Sequence, residues 1–445
     1  MQYKSLEERL ILQDREKKEL SQKFDNLIIC YRLQINSILK DQEVSWFISR
    51  IEWDENYLYF YLTNQYWTQK IFLNKKNLKD DDIVLLRSLL NSNVSIITQD
   101  WEIKWLKVNW ISINDEFIND NQINLVWQDE QRRYKYIHYR QEWIFDAIKE
   151  RENIIKNIRR YFENNWFIEI ETPILWPVFS EYADESFLVY DEKLWWAYSL
   201  PQSPQVYKQL SILSGVQKYF QIARCFRRDA DSEFKKIEFT QMDVEVANMK
   251  SKDIRLILEN LIKELFKLKW INLDWNIPVF TYQEAMSKFW TEKPILEWKE
   301  YSLCWVIQSP IFEVSNWKIQ PSHHIVSKPL DEDLELLEKD PLSVRWDNYD
   351  LIFNWQEVAG WDIRINDPLL QYKMLKLIWY SDEYIEKYYS WYIEALSNWC
   401  PPHGWFATWV ERIVTLLNKN KDISKYIMFP KYANWEPISG FPKKM

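Results

Sequence analysis

Four glycines are spread over 445 residues, and their scarcity constrains the fold more than any motif, because the same chain carries 27 Trp. A folded chain of this size turns where φ is positive, in tight turns and just past helix ends. Glycine adopts that backbone without strain and other residues rarely do. Average glycine usage is about 7%, and here Trp and Gly together come to that share. The Trp also stand where glycine chemistry belongs. Asn354-Trp355 separates two strand-like runs, where Asn-Gly would close a two-residue hairpin. Trp166 and Trp379 follow helix-like segments, in ENNWF and LIWYS. We read most of these Trp as UGA codons that the source organism translates as glycine. A truly Trp-rich protein would instead give Trp masses at positions 355, 361, 405 and 409.

The rest of the composition is that of a folded protein. Hydrophobic residues make 47% and charged residues 28%, and the length has room for two or three domains. No run of about 18 apolar residues offers a membrane span. The opening MQYKSLEERLILQDREKKEL lacks the apolar core of a secretory signal. Cys30, Cys225, Cys304 and Cys400 are scattered with no CxxC pair, which predicts a reduced cytoplasmic protein without structural zinc. A net charge of −9 argues against a broad nucleic-acid-binding surface and leaves room for a local basic face.

Along the chain the expected class is α+β. Residues 1–43 read as a loosely amphipathic helical extension. Residues 44–118 hold short β-branched and aromatic runs (EVSWFISRIEW, YLYFYLTNQYWTQKIFL, NVSIITQ, IKWLKVNWISI) with one helix-like stretch, DDDIVLLRSLLN. That pattern predicts a small barrel. The polar stretch 119–140 reads as a hinge, and 141–445 alternates helices with strand pairs, as in a domain built on an antiparallel sheet.

The most informative segment is QKYFQIARCFRRDADSEFKKIEFTQMDVEVA (217–247). Two alternating runs flank a charged loop, so an antiparallel hairpin is expected, with Phe239, Gln241, Asp243 and Glu245 on one face. Such a face is costly to bury unless it binds something. A second hairpin is expected around Asn354-Trp355. A turn at Asn354-Trp355 sets Ile352 opposite Glu357 and leaves Asp350 on the same face, a carboxylate pair suited to one Mg²⁺.

The 217–247 segment resembles motif 2 of the class II aminoacyl-tRNA synthetases, and the chain from about residue 44 onward is similar to aspartyl-tRNA synthetases. The resemblance implies an N-terminal OB-fold barrel joined to a class II catalytic domain. It implies that Arg227 holds the α-phosphate of ATP, Phe239 stacks on adenine and Lys235 meets the terminal phosphates. Asp229 stands where the family's Arg-x-Glu has a longer carboxylate. ENIIKNIRRYFENNWFIEIETPIL (152–175) resembles motif 1, the dimer element, and implies a homodimer. PPHGWFATWVERIVTLL (401–417) resembles motif 3, which implies that Arg412 sandwiches adenine opposite Phe239. Reading Trp405 and Trp409 as glycine restores the family's GGFATGVER.

SLPQSPQVYKQL (199–210) resembles the aspartyl signature QSPQ. It implies an aspartate site of Lys208, Ser203 and Gln205, completed by Gln241, Asp243, Glu181 and the pair His323-His324. EVAGWDIRI (357–365) resembles EIGGGSIRI and implies that Arg364 grips the aspartate carboxylate through two hydrogen bonds. YDLIFNWQE is similar to YDLVLNGYE and implies that Asp350 and Glu357 bind Mg²⁺. In the barrel, Tyr59 would stack on an anticodon base while Arg50 and Gln69 supply polar contacts. The family's RDR is replaced here by Thr63-Asn64-Gln65. The large domain that bacterial relatives insert between motifs 2 and 3 is missing. The implied activity is activation of L-aspartate by ATP and its transfer to tRNA-Asp, with tRNA-Asn a second candidate. A tRNA-independent asparagine synthetase on the same fold and an inactive RNA-binding relative are the rivals.

Overall fold

The computed structural model describes residues 43–63, 68–74, 93–99, 102–110, 142–177, 186–191, 193, 195–228, 232–273, 275–296, 301–315, 318–322, 325–420 and 422–430. The chain divides into two compact units, residues 1–149 with 435–445 and residues 150–434. The expected N-terminal helix, the 80–91 helix and the 119–140 hinge lie outside the described residues.

The first unit holds β1 (Glu43–Trp53), β2 (Tyr57–Thr63), β3 (Thr68–Asn74), β4 (Asn93–Gln99) and β5 (Glu102–Trp110), paired antiparallel in the order β3-β2-β1-β4-β5. This is the OB-fold half of the α+β architecture. Strand β2 explains its own orientation: Leu58, Phe60 and Leu62 are buried, whereas Tyr57, Tyr59 and Tyr61 stay half-exposed. Period-two alternation therefore turns a row of three tyrosine rings outward.

The second unit is built on eight strands in the order β12-β13-β16-β17-β18-β11-β10-β6. They are β6 (Ile168–Glu169), β10 (Lys218–Phe226), β11 (Glu238–Ala247), β12 (Val279–Thr281), β13 (Leu303–Ile307), β16 (Asn348–Phe353), β17 (Gln356–Asp362) and β18 (His403–Trp409). Between them in the chain, β7 (Trp176–Pro177), β8 (Leu188–Asp191) and β9 (Trp196–Ser199) form a three-stranded sheet, and β14 (Phe312–Ser315) pairs with β15 (Lys318–Pro321). The six central strands are antiparallel, as expected, but both edges pair parallel, β12 with β13 and β6 with β10. Helix α1 (Glu142–Asn164) buries Ile154, Ile158 and Phe162 at four-residue spacing. Phe162 packs on Phe167 and Phe220, each at 4.9 Å between ring centroids. Helix α2 (Gln205–Leu213) packs on β10 and β11 and carries buried polar side chains inward. Helix α3 (Val410–Leu417) follows β18 directly. At that junction the buried Glu411 accepts from the Thr240 N–H at 3.1 Å and from Arg151 at 3.0 Å, pinning β11 in register beside β18.

One transverse row runs Asp350–Gly360–Ala407–Asp243 across four strands. Its centre has to be small. A Cβ at Gly360 would collide with Asp350 Oδ1 and come 3.1 Å from Glu357 Oε1.

The backbone specials fall on Trp. Of twelve non-glycine residues with positive φ among the described residues, seven are Trp: 166, 195, 270, 290, 355, 379 and 399. Trp166, Trp270 and Trp379 each close a helix with the same pair of bonds. In each, the Trp N–H reaches back three residues and the next N–H reaches back five. Gly215, at φ 98, closes α2 with that same pair, to Ile212 and from Val216 to Ser211. This is the Schellman ending that ordinarily selects glycine. Asn354 and Trp355, at φ 45 and 65, form the expected two-residue hairpin turn.

Candidate active site

The amino-acid end of the site is a cluster of fully buried charges. Lys208 enters from α2, Asp243 and Glu245 lie on β11, and Arg364 follows β17; all four are 0% exposed. Lys208 Nζ donates to Asp243 Oδ2 at 2.9 Å and lies 3.5 Å from Glu245 Oε2. Arg364 Nε lies 3.6 Å from Glu245 Oε1, and its Nη1 lies 3.4 Å from Asp362 Oδ1. Burial pushes the Asp243 carboxyl up to about 6 despite the Lys208 ammonium beside it, and burial pulls Lys208 down. All three Arg364 guanidinium nitrogens lack a hydrogen-bond partner, as do Ser203 Oγ and both amide atoms of Gln205. Orphaned polar atoms of this kind cost about 1–3 kcal/mol each, more when charged, unless a ligand satisfies them.

Two cations converge on one object. The Trp405 ring has Lys208 Nζ at 3.3 Å from its centroid and Arg364 Cζ at 4.1 Å. Strand register places Trp405 opposite Glu245 and Trp409 opposite Gln241, so both indoles rise from the floor of the site.

The nucleotide end is a cleft of about 440 Å³ whose walls include Arg227, Lys235, Gln241, Glu357 and Arg412. The Trp409 indole lies flat on Phe239, 3.6 Å between centroids and 12° between planes. Arg412 covers its other face, Cζ 4.2 Å from the ring. Arg412 is held by the Glu357 carbonyl at 3.1 Å and the Phe234 carbonyl at 3.4 Å. Arg227 Nε donates to the Gln202 carbonyl at 3.2 Å, and its guanidinium lies 5.5 Å from the Phe239 ring. An aromatic face opposed by a guanidinium is a stacking slot for a flat heterocycle.

The hairpin register sets Ile352 opposite Glu357 and Asp350 opposite Gly360, with a bulge after Leu351. Both carboxylates therefore turn over Gly360. Burial first, and then the like charge of Glu357, push the Asp350 carboxyl well above the ordinary range. Lys293 stands 3.9 Å from Glu357. Two crowded carboxylates beside a cationic cleft suit a hard divalent ion that also takes phosphate oxygens and waters. Among the described residues, no cluster of three or more metal-ligating side chains occurs.

Several expected site residues fall elsewhere. Glu181, Asp229, His323 and His324 lie outside the described residues. Arg50 is on β1 and Gln69 on β3. Tyr59 donates to Asp54 Oδ2 at 2.7 Å, and that bond pushes its phenol up to about 12. Two residues of the buried cluster, Asp362 and His403, were not singled out from sequence, and Glu245 was read as a member of the β11 face without a role of its own. Asp362 and Arg364 share the period-two face of Gly360, a signal that was available. His403 lies 3.9 Å from Glu245 and 3.5 Å from Gln209, and its desolvation lowers its pKa. Nothing in the spacing of PPHG announces that role.

With fold and site in view, comparison with known proteins assigns the class. The family model "tRNA synthetases class II (D, K and N)" matches residues 128–433, and the chain belongs to that family of aminoacyl-tRNA ligases. Among curated relatives, the aspartate–tRNA(Asp/Asn) ligase of Chlamydia abortus is 26% identical over 429 residues, covering 67% of this chain and 73% of that protein. The aspartate–tRNA ligase of Clostridium beijerinckii is 25% identical, covering 68% of this chain and 72% of that protein. Among solved structures, asparaginyl-tRNA synthetase from Pyrococcus horikoshii, complexed with asparaginyl-adenylate, has a TM-score of 0.70 at 16% identity, covering 94% of this chain and 100% of that one. At that identity the likeness is one of fold.

Proposed function

We propose that this ligase activates L-aspartate with ATP and transfers the aspartyl group to tRNA-Asp, with tRNA-Asn as the second candidate acceptor. The observation that carries the choice of amino acid is the convergence of Lys208 and Arg364 on one buried point. Two cations in a dry pocket select a side-chain carboxylate over an amide, because a carboxylate accepts charge-assisted hydrogen bonds from both, whereas an amide turns an N–H donor toward one of them. Ser203 and Gln205 carry buried polar atoms without partners that can orient the substrate's ammonium and α-carboxylate beside Gln241, and Asp243 holds Lys208 in place. Glu181, His323 and His324 belong to the same proposed subsite.

The reaction is an in-line attack of the aspartate α-carboxylate on the α-phosphorus of ATP, with pyrophosphate leaving. The 3′-terminal ribose hydroxyl of tRNA then attacks the adenylate. Arg227 offsets charge developing on the α-phosphate, Lys235 meets the leaving phosphates, and Asp229 is assigned to the same ATP site. Phe239 and Arg412 clamp adenine between them. The protein mainly positions and stabilises charge. Asp350 and Glu357 would hold Mg²⁺, which would neutralise phosphate oxygens.

The barrel reads the anticodon through Tyr59, whose ring Asp54 fixes in the outward tyrosine row, with Arg50 and Gln69 on flanking strands. A homodimer is favoured by Ile168, Ile174 and Leu175, half-exposed apolar residues at the motif 1 edge. No described helix is long and apolar enough to cross a membrane, and cytoplasmic residence is proposed for a protein that meets tRNA.

Charging assays with purified tRNA-Asp and tRNA-Asn decide the acceptor. Aspartylation of tRNA-Asp alone supports the narrow form, and charging of both supports the broader one. Aspartate-dependent AMP release without tRNA would replace the proposal with an asparagine synthetase.

A further inference from the structure

We propose that positions 405 and 409, together with the seven left-handed Trp positions, are glycine in the working protein, and that their missing side chains are what open the substrate site. Two unrelated observations meet here. The first concerns backbone. Trp166, Trp270 and Trp379 repeat, bond for bond, the helix ending that Gly215 makes in this same chain. Their indoles are 86%, 97% and 73% exposed, so no packing compensates the left-handed backbone. Trp195, Trp290 and Trp399 share the positive φ with exposures of 93%, 87% and 70%.

The second concerns the site and rests on the proposed activity. The Trp409 indole fills the slot between Phe239 and Arg412, the place of a purine base. The Trp405 indole fills the point where Lys208 and Arg364 converge, the place of a carboxylate. Trp361 leans on Trp405 at 5.1 Å and narrows the same cleft. The floor of an otherwise complete site is thus blocked at its two reacting ends by one residue type. At both ends that residue stands on a strand beside small neighbours, Gly404 and Ala407. Random enrichment in Trp predicts neither the left-handed positions nor the two blocked subsites. A codon written as Trp and read as glycine predicts both, and UGA is the codon we assign.

Not every Trp belongs to this set. Trp305 is fully buried, and its indole N–H donates to Glu259 at 2.8 Å. Position 305 is therefore assigned as Trp in the working protein.

The test is peptide mass spectrometry of the protein purified from its own source, run beside two recombinant chains, one as written and one carrying Trp405→Gly and Trp409→Gly. Glycine masses at 166, 270, 379, 405 and 409 with a Trp mass at 305 are expected. ATP should protect the glycine chain from thermal unfolding and leave the written chain unshifted. Trp masses at 405 and 409 overturn the inference and leave a self-blocked protein in its place. Glycine masses with ATP binding but no aspartate-dependent exchange keep the inference and overturn the proposed substrate.

Discussion

The helix endings give a stability experiment whose sign differs between two groups of the same residue. Consider the full chain as written and its Trp166→Gly, Trp270→Gly, Trp379→Gly variant. A side chain in the left-handed region costs about 1–2 kcal/mol. Glycine removes that cost but gives back about 0.5–1 kcal/mol through its looser unfolded chain. With φ of 64, 60 and 67 and indoles almost wholly in water, little else changes. Each site should gain roughly 0.5–1 kcal/mol, and because the three close different helices, the sum is about 1.5–3 kcal/mol. Trp305→Gly is the control. It empties a fully buried indole and orphans Glu259, at a cost of about 3–5 kcal/mol or more. Urea unfolding followed by circular dichroism reads both midpoints. A triple variant that unfolds at lower urea than the written chain, or a harmless Trp305→Gly, would refute the reasoning.

Other expectations concern the site in its active form. Arg364→Lys keeps a charge but loses the planar fork, so KM for aspartate should rise roughly 10–100-fold with a smaller change in ATP affinity; an unchanged KM contradicts the assigned contact. Asp350→Asn and Glu357→Gln should each raise the Mg²⁺ concentration needed for half-maximal exchange while leaving aspartate affinity near its starting value. For pH, Asp243 titrates in the folded state near 6, above its ordinary 3.8. Between those values the folded chain holds the extra proton, so ligand-free stability should fall as pH rises through that window. Aspartate affinity should move the opposite way, weakening below about pH 6 as the Lys208 partner becomes neutral, and Asp243→Asn should flatten both profiles. In the barrel, Tyr59→Ala should weaken tRNA binding roughly tenfold or more, whereas Tyr59→Phe keeps the ring and should cost far less; equal losses would place the function in the hydroxyl.

The sequence made the hairpins legible because period-two patterning and turn chemistry are local. Asn354-Trp355 set the register that faces Ile352 to Glu357, and the run ending at Val246 put Phe239, Gln241, Asp243 and Glu245 on one face. The parallel edge pairings of β6 and β12 were not legible, since a strand of two or three residues carries no periodicity to read. Lys208 and Arg364 could be named from motifs, but their convergence is a product of α2 packing over β11 and of β17 running beside β18. His403 and Asp362 were missed for that reason, as their meaning lies in what surrounds them after burial. The glycine deficit was visible at once as composition. Its location, in helix endings and in two substrate subsites, needed the fold.

The most direct test of the account is amino-acid-dependent ATP–pyrophosphate exchange by the protein from its native source, with aspartate and asparagine offered separately. The buried pair of Lys208 and Arg364 predicts exchange with aspartate and none above background with asparagine. Exchange driven by asparagine, or by neither, would contradict it.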